Sequence, residues 1–339
     1  MKLYHDLENI SIKRSDKIGL TGGDKMIYTH TSNLAIDLFI ETDELKPNFV
    51  NRTNYFECLA NGKGVNVSLV LKMLGIDSVV TGFKAGFTGS YIEKYLIDSG
   101  FKTFMPEVDG VNRINVFTKV INEGNEYKQV NPGPEISVNA RNGLLDYFEN
   151  NLKRDDIVCL NGSFSEGIDK AYIEKICEIS EKSGSKLVLD NSSKFIPELG
   201  KFKPYLVKPN ETELCDWFGE EVRDKNQFIK LSLELINRGF ENILLSLGED
   251  GAMLINEEGI ISVNAPSGTV VNTAMSGDTL LATFLAEKIN GKSDEFALTK
   301  SVAAGSSTAF TEGLTEFKDV EELMKEIRIN YRRSLWNIR

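Results

Sequence analysis

Helical periodicity and short apolar runs alternate along the second half of the chain. Amphipathic stretches at residues 138–152, 170–182 and 226–238 precede the runs DIVCL, KLVLD and ENILLS, and a shorter helical stretch precedes YLVKP. Strands that are separated by helices in this way pair in parallel and are covered on both faces. The pattern therefore predicts an α/β fold with a central, mostly parallel sheet flanked by helices on both faces.

Two groups of β-prone runs lack helices between them. Residues 35–41 (AIDLFIE) alternate between apolar and polar, residues 51–59 form a second run, and three more runs lie between residues 101 and 131. Such runs do not fit a βαβ series. We therefore predict a small β-sheet lid over the main domain, built from about residues 36–59 and 101–131. Asp37 and Arg113 fall in these runs, where each is either an exposed strand residue or a ligand contact.

The stretch from Val270 to Ile289 predicts a helix that begins at a potential anion site. Its second half carries one apolar stripe, formed by Leu280, Leu281, Phe284, Leu285 and Ile289. The helix therefore begins near Ser276-Gly277-Asp278, where unpaired amides and the positive end of the helix dipole can hold a phosphate. Asp278 in the first turn is either a helix cap or a base that accepts a proton from an alcohol.

A second helix start is rich in glycine. Gly62-Lys63-Gly64 follows a predicted strand and precedes the apolar helix VSLVLKMLG. Glycines let the backbone approach a ligand closely, and Lys63 adds positive charge. The Walker spacing that ends in GK[ST] is missing, so this is not a P-loop. The segment is either a ligand-binding turn or a plain connection between strand and helix.

Polar residues or glycines follow each strand of the alternating region. These exits are Asn161-Gly162-Ser163, Asp190-Asn191, Lys208-Pro209-Asn210 and Ser246-Leu247-Gly248. Parallel sheets bind ligands outside the carboxyl ends of their strands, so the four exits predict one functional edge. Ser163, Asp190 and Asn210 could instead cap helices.

Composition and net charge limit the classes of protein to which this chain can belong. The 339 residues carry a net charge of −11, which argues against a broad nucleic-acid surface and leaves any anionic substrate to a few placed cations. No apolar run approaches the ~20 residues of a membrane span, and the chain does not open with a signal-peptide pattern. The four cysteines are scattered, as in a cytoplasmic protein with reduced thiols.

We expect residues 1–25 to be an extension, residues 26–325 the main domain and residues 326–339 a tail.

Several motifs together resemble a known family. They are Gly62-Lys63-Gly64-Val65-Asn66, Lys208-Pro209-Asn210-Glu211-Thr212-Glu213, Ser246-Leu247-Gly248-Glu249-Asp250-Gly251 and Ser276-Gly277-Asp278. Their number and order resemble the ribokinase-like (PfkB) carbohydrate kinases over roughly residues 26–310. Within that family, Phe87-Thr88-Gly89, the run that begins at Arg113 and the segment 131–137 look like the 1-phosphofructokinase branch, with tagatose-6-phosphate kinases as close relatives.

The resemblance implies ATP-dependent phosphorylation of a sugar phosphate, here the 6-hydroxyl of fructose 1-phosphate. Asp278 would be the base, and the amides of Ser276, Gly277 and Asp278 would hold the transferred phosphoryl group. The sugar phosphate would be bound by Asp37, Gly62, Lys63, Asn66 and Arg113. ATP would be bound by Lys208, Asn210, Glu213, Ser246, Gly248 and Gly251. Asn210 and Glu213 would organise Mg²⁺ through water, and the lid would form a homodimer contact.

Some residues depart from the family pattern. Leu34 stands where a proline is usual, Asn61 replaces the first glycine before the lysine, and Met275 replaces the glycine that begins the anion-site motif. If that position needs a positive φ, methionine there costs of order 1 kcal/mol or more. A protein on the same fold that binds sugar phosphate or nucleotide without catalysis is therefore the alternative hypothesis.

Overall fold

The computed structural model describes residues 25–221 and 224–332. In chain order its strands are β1 (Ile27–Thr31), β2 (Ala35–Thr42), β3 (Tyr55–Asn61), β4 (Ser78–Gly82), β5 (Lys84–Ala85), β6 (Lys102–Phe104), β7 (Glu107–Val108), β8 (Arg113–Val120), β9 (Asn125–Gln129), β10 (Ile157–Asn161), β11 (Lys186–Asp190), β12 (Leu206–Val207), β13 (Asn242–Ser246), β14 (Ala252–Asn256), β15 (Gly259–Val263) and β16 (Ile329–Arg332). The α-helices are α1 (Lys63–Met73), α2 (Gly86–Asp98), α3 (Val138–Asn151), α4 (Lys170–Ser183), α5 (Glu211–Phe218), α6 (Lys225–Asn237), α7 (Ser276–Ile289), α8 (Asp294–Ala309) and α9 (Val320–Met324), and 3₁₀ turns cover Ile196–Phe202 and Gly248–Asp250.

A ten-stranded sheet forms the centre of the molecule, in the order β16-β15-β14-β13-β12-β11-β10-β1-β4-β6. The pairings from β13 to β6 are parallel, whereas β14, β15 and β16 join in antiparallel fashion. This confirms the predicted, mostly parallel α/β sheet. The strand order reverses between β1 and β10, and such a switch point is where α/β sheets bind ligands.

Helices cover both faces of this sheet because successive strand residues point to opposite sides. Tyr28 of β1 packs in a buried cluster with residues of α3, α4, α5 and α6. Its neighbour Ile27 packs in a second cluster, with α1, α7 and α8. The helices that carry Lys63 and Asp278 therefore lie on the same face of the sheet. Of the helices in the described part of the chain, none combines the length and the apolar character needed to cross a bilayer.

The lid is a separate four-stranded sheet in the order β3-β2-β8-β9. Its two central strands, β2 and β8, are parallel, and Asp37 pairs in register with Asn115. The base of the lid packs on α1 and α2 through buried side chains that include Ile36 and Ala60.

The lid is smaller than the sequence predicted. Residues 101–108, which we assigned to it, lie elsewhere: β6 extends the large sheet beside β4, and β7 pairs with β5. The physical reason is that α2 connects β4 to β6, so these three elements form a βαβ unit of their own. The predicted lid strand 51–59 begins later, at Tyr55, and continues to Asn61.

The sequence predicted that both ends of the chain lie outside the main domain. The proposed extension 1–25 lies outside the described residues except for Lys25. Within the segment expected to be a tail, Ile329–Arg332 forms β16 and pairs with β15 at the edge of the large sheet. Residues 333–339 lie outside the described part.

Candidate active site

The N-terminus of α7 has the features of an anion site. Met275, the residue before the helix, has the left-handed conformation φ 64°, ψ −6°, and its carbonyl accepts the amide of Thr279 at 2.9 Å. The amide of Ser276 donates a long hydrogen bond of 3.4 Å to Thr273. Within the described residues, the amides of Gly277 and Asp278 and the buried hydroxyl of Ser276 have no hydrogen-bond partner. Two backbone donors and one hydroxyl are thus available to an anion.

Asp278 is buried in the first turn of this helix, with 6 % of its surface exposed. Nδ2 of Asn66 donates a hydrogen bond of 2.8 Å to its Oδ2 atom. Burial, and next the negative charge of Asp190, raise the pKa of Asp278 to about 6, against the opposing effects of Lys63, Asn66 and Lys208. The carboxylate is ionised at neutral pH, yet it is a better proton acceptor than an ordinary aspartate.

Two lysines converge on one buried carboxylate next to this helix. Oδ1 of Asp190 lies 3.2 Å from Nζ of Lys63 and 3.1 Å from Nζ of Lys208, and the Asp190 side chain is fully buried. Burial opposes the charged form of Asp190, but the two lysines outweigh it and hold the pKa of that carboxyl below its ordinary value. Asp190 also raises the pKa of Lys63, with smaller contributions from Asp278 and Glu213. Lys63 therefore stays charged.

The second lysine lies close to the helix start. A Cβ atom built on Gly277 would be 3.4 Å from Nζ of Lys208, which is itself buried. A Cβ atom built on Gly162, at the exit of β10, would lie 3.7 Å from Cβ of Lys63, so the Lys63 side chain passes close to that exit. The Lys208 side chain thus lies beside the free amides of α7, where a phosphoryl group would be attracted by both.

Asp37 and Arg113 form a second group, on the lid. Asp37 is buried with 5 % exposed, so it is not the exposed strand residue that the alternation allowed. Its carboxylate accepts hydrogen bonds from Nδ2 of Asn115 at 2.8 Å and from Nδ2 of Asn61. Burial raises the pKa of Asp37, against the opposing effect of both amides and of Arg113. Arg113 is partly buried and donates to the carbonyl of Asn33 at 3.1 Å, while its Nε has no partner among the described residues.

The residues predicted to bind nucleotide lie at the exits of β12 and β13. Asn210 and Glu213 form a capping box at the start of α5, since each side chain accepts a hydrogen bond from the other residue's amide. A backbone bridge joins Asn210 to Ser246. Gly248 and Gly251 bound the short turn that follows, and both have positive φ. The helix-cap interpretation thus holds for Asn210, whose side chain is nevertheless at the functional edge.

The described residues contain no cluster of three or more His, Cys, Asp or Glu side chains that could hold a metal ion. The capping box engages Oδ1 of Asn210 and Oε2 of Glu213. The other carboxylate oxygen of Glu213, Oε1, lies 3.9 Å from Nζ of Lys63. One carboxylate oxygen with water and phosphate ligands suits Mg²⁺, which retains several waters in proteins.

The predicted residues fall into connected groups. Asp190 joins Lys63 to Lys208, and Lys63 lies 3.9 Å from Glu213. Asn66 donates to Asp278, which follows Gly277 in the helix start beside Lys208. Asp37 and Arg113 belong to the lid group, which Asn61 links to Gly62. The sequence interpretation left out Asp190, Asn61 and Asn115 as site residues. Asp190 had a signal in its position at a strand exit and Asn61 in its departure from the family's glycine, whereas Asn115 had no signal of its own.

Comparison with known proteins identifies the family of the chain. The sequence pattern of the pfkB family carbohydrate kinases matches residues 28–320. D-tagatose-1-phosphate kinase from Bacillus licheniformis is 39 % identical over 307 residues, which cover 90 % of this chain and 100 % of the relative. 1-Phosphofructokinase from Bacillus subtilis is 34 % identical over 304 residues, with 90 % and 99 % coverage.

A solved structure shows the same fold. Phosphofructokinase-2 from Escherichia coli in complex with potassium superposes with a TM-score of 0.83 at 23 % identity, covering 89 % of this chain and 98 % of that one. The architecture is therefore ribokinase-like, with its large sheet, flanking helices and small separate sheet. On this family match and these relatives, the chain is a sugar-phosphate kinase, a phosphotransferase with an alcohol acceptor, and belongs to the pfkB family of carbohydrate kinases.

Proposed function

We propose that this protein transfers the γ-phosphoryl group of ATP to the 6-hydroxyl of a ketohexose 1-phosphate, with fructose 1-phosphate as the leading candidate. The observation that carries the proposal is the position of Asp278, a buried carboxylate beside free helix amides and the Lys208 ammonium group. An alcohol becomes a good nucleophile when such a carboxylate accepts its proton, and the amides and lysines stabilise the charge on the migrating phosphoryl group.

The remaining residues divide between the two substrates. Asp37, with Gly62 and Asn66, binds the sugar, and its carboxylate oxygens accept hydrogen bonds from hydroxyl groups. Lys63 and Arg113 bind the phosphate that the sugar already carries. The ATP phosphates lie along Lys208, Asn210 and Ser246, next to the turn bounded by Gly248 and Gly251. Glu213 would hold Mg²⁺ through water, with Asn210 beside it, and the ion would supply positive charge that neutralises the phosphates.

The position of the sugar's own phosphate is inferred from the relatives. The two Bacillus relatives are named for substrates with phosphate at carbon 1. These names favour a 1-phosphate over the tagatose 6-phosphate that the sequence left as an alternative. Fructose 1-phosphate leads because the segments at Phe87, Arg113 and 131–137 resemble the 1-phosphofructokinase branch. Tagatose 1-phosphate is the second candidate, although the relative named for it has the higher identity, 39 % against 34 %.

A coupled assay of ADP release tests the proposal. Wild type and Asp278→Ala are compared with Mg·ATP and, in turn, fructose 1-phosphate, tagatose 1-phosphate, tagatose 6-phosphate and fructose 6-phosphate. We expect turnover with a 1-phosphate and a loss of roughly 10²–10⁴-fold in kcat in the variant. Turnover with none of the four sugars above the Asp278→Ala level would instead support a binding protein without catalysis.

A second variant tests the phosphate contact. Arg113→Ala should raise KM for the sugar phosphate much more than KM for ATP, because only the sugar carries a phosphate within reach of the lid. Arg52→Ala, at an exposed site in the loop between β2 and β3, is the matched control. Equal changes in both KM values would remove Arg113 from the sugar site.

We also propose that the protein is a cytoplasmic homodimer that associates through the lid. Phe56, Tyr127 and Val130, all in or next to the lid strands, are 67 %, 46 % and 63 % exposed, which leaves apolar surface for a second copy. The four cysteines are free, as expected in a reducing compartment. Light scattering should give a dimer for wild type and a monomer for Phe56→Ser. Phe87→Ser, an exposed aromatic on α2, should remain dimeric.

A further inference from the structure

Asn61 occupies an unusual place in the sugar site. It is the last residue of β3 and immediately precedes the glycine-lysine turn. Its side chain makes two hydrogen bonds: Nδ2 donates to Oδ2 of Asp37, and Oδ1 accepts the amide of Gly62 at 2.5 Å. The residue that departs from the family's glycine thus joins the lid to the turn that carries Lys63.

Asp37 is held from both neighbouring strands. Asn115 of β8 donates to its Oδ1 atom at 2.8 Å, while Asn61 of β3 donates to Oδ2. An ionised carboxylate offers about four acceptor positions on its two oxygens. Two carboxamides fill one position on each oxygen, so one position on each remains for a hydroxyl group of a sugar.

The same side chain begins a path to the catalytic base. The carbonyl of Gly62 accepts the amide of Asn66 at 3.0 Å, and Nδ2 of Asn66 donates to Asp278. Hydrogen bonds and the covalent structure of Asn61, Gly62 and Asn66 therefore connect the lid carboxylate to the base. A displacement of Asn61 would change the position of Asp37 relative to Asp278.

We propose that Asn61 is a positioning residue for sugar binding, which orients the Asp37 carboxylate toward two sugar hydroxyls and fixes the lid against the Lys63 turn. This inference rests on the proposed function, since it takes the bound molecule to be a sugar phosphate. A purely structural role would be different, because Asn61 would then matter only through its hydrogen bond from the Gly62 amide.

Two substitutions separate these roles. Asn61→Asp keeps an acceptor for Gly62 but replaces the donor to Asp37 with a repelling carboxylate, whereas Asn61→Gly removes both hydrogen bonds. Asn54→Asp is the matched control, because Asn54 in the same lid donates to Asp43 at 2.7 Å on the exposed surface. We expect Asn61→Asp to raise KM for fructose 1-phosphate or tagatose 1-phosphate by roughly tenfold to a hundredfold, with KM for ATP changed by less than about twofold.

The relative KM values of the variants decide between a positioning role and a purely structural role. Asn61→Gly should raise KM for the sugar phosphate less than Asn61→Asp does. Asn54→Asp should have the same KM as wild type. If Asn61→Asp matches wild type while Asn61→Gly is impaired, or if KM for ATP rises as much as KM for the sugar, the positioning role is overturned. Thermal denaturation of each variant checks that the fold is intact.

The test also distinguishes this inference from the proposed function. If wild type phosphorylates none of the four sugars, the proposed function fails, and calorimetric titration with fructose 1-phosphate then takes the place of KM. Weaker binding by Asn61→Asp than by Asn61→Gly would support the positioning role, and equal binding by Asn61→Asp and wild type would overturn it. Absence of binding to wild type would overturn both.

Discussion

Asn66 donates a hydrogen bond of 2.8 Å to Asp278, although 212 positions separate the two residues in the chain. The contact joins the first turn of α1 to the first turn of α7. Both helix starts lie at the edge where the parallel strands end, so the fold brings a carboxamide and a carboxylate together beside the free amides.

The pKa of Asp278 sets the acidic limb of the pH profile. Burial and the charge of Asp190 raise that pKa to about 6, and the base works only when deprotonated. The value of kcat/KM should therefore fall below about pH 6, tenfold for each further pH unit. Asn66→Ala removes a hydrogen bond that favours the charged form, so the limb should move to higher pH. A profile recorded in buffers of constant ionic strength measures this.

The control for that profile is Asn150→Ala, on the exposed side of α3, where Asn150 donates only to the carbonyl of Asp146. Its limb should coincide with that of wild type. An acidic limb that stays in place in Asn66→Ala would mean that another group limits activity.

Asp190→Asn should lower the free energy of unfolding and shift the acidic limb of the pH profile. The substitution leaves Lys63 and Lys208 without their shared buried carboxylate, and loss of one partner of a buried ion pair typically costs about 3–5 kcal/mol. The acidic limb should move to lower pH, because Asp190 no longer repels the charged form of Asp278. Denaturant unfolding and kcat/KM profiles measure the two effects.

An exposed ion pair provides the comparison. Asp98→Asn breaks the pair with Lys94, whose side chain is 75 % exposed, and should cost less than about 0.5 kcal/mol. Similar losses of unfolding free energy in Asp98→Asn and Asp190→Asn would contradict the importance of burial.

Met275→Gly should stabilise the protein. The left-handed φ of 64° costs a residue with a side chain about 1–2 kcal/mol, whereas glycine adopts it freely. Part of the gain is offset by the greater freedom of glycine in the unfolded chain, so we expect a net increase of up to about 1 kcal/mol. Met275→Ala retains the unfavourable φ and should not be stabilised. Equal unfolding free energies for the two variants would show that the backbone conformation is not the cause.

The two glycines of the predicted ATP turn should respond differently to alanine. A Cβ atom at Gly251 would lie 2.0 Å from the carbonyl oxygen of Val263, whereas one at Gly248 would meet nothing within 4 Å. Gly251→Ala should therefore cost more than about 3 kcal/mol, and Gly248→Ala about 1 kcal/mol from its positive φ alone. Thermal unfolding measures both. Gly248→Ala should keep enough folded protein to measure KM for ATP, and a Gly251→Ala protein as stable as wild type would contradict the geometry.

Local patterns were sufficient to predict most of the fold. The alternation of helices and apolar runs after residue 138 specified the parallel sheet, and the runs before Lys63 specified part of the lid. The pattern wrongly placed residues 102–104 in the lid, because a short β-prone run does not show which strand it pairs with. It also failed at residues 329–332, whose exposed side chains carry no core periodicity.

The candidate site was predictable where a residue belongs to a motif. Lys63, Asn66, Lys208 and Asp278 follow from such motifs, and the structure brings them together. The roles of Asn61 and Asn115 depend instead on strand register, because both meet Asp37 only through the pairing of β3, β2 and β8. A local sequence pattern does not contain that register.

The position of β16 has a consequence for protein production. Ile329–Arg332 pairs with β15 along its full length, from Ile260 to Val263. A shortened gene product that ends before residue 329 would leave the amides and carbonyls of β15 open to strands from other molecules, which is a common start of aggregation. Expression clones should therefore retain residues through Arg332.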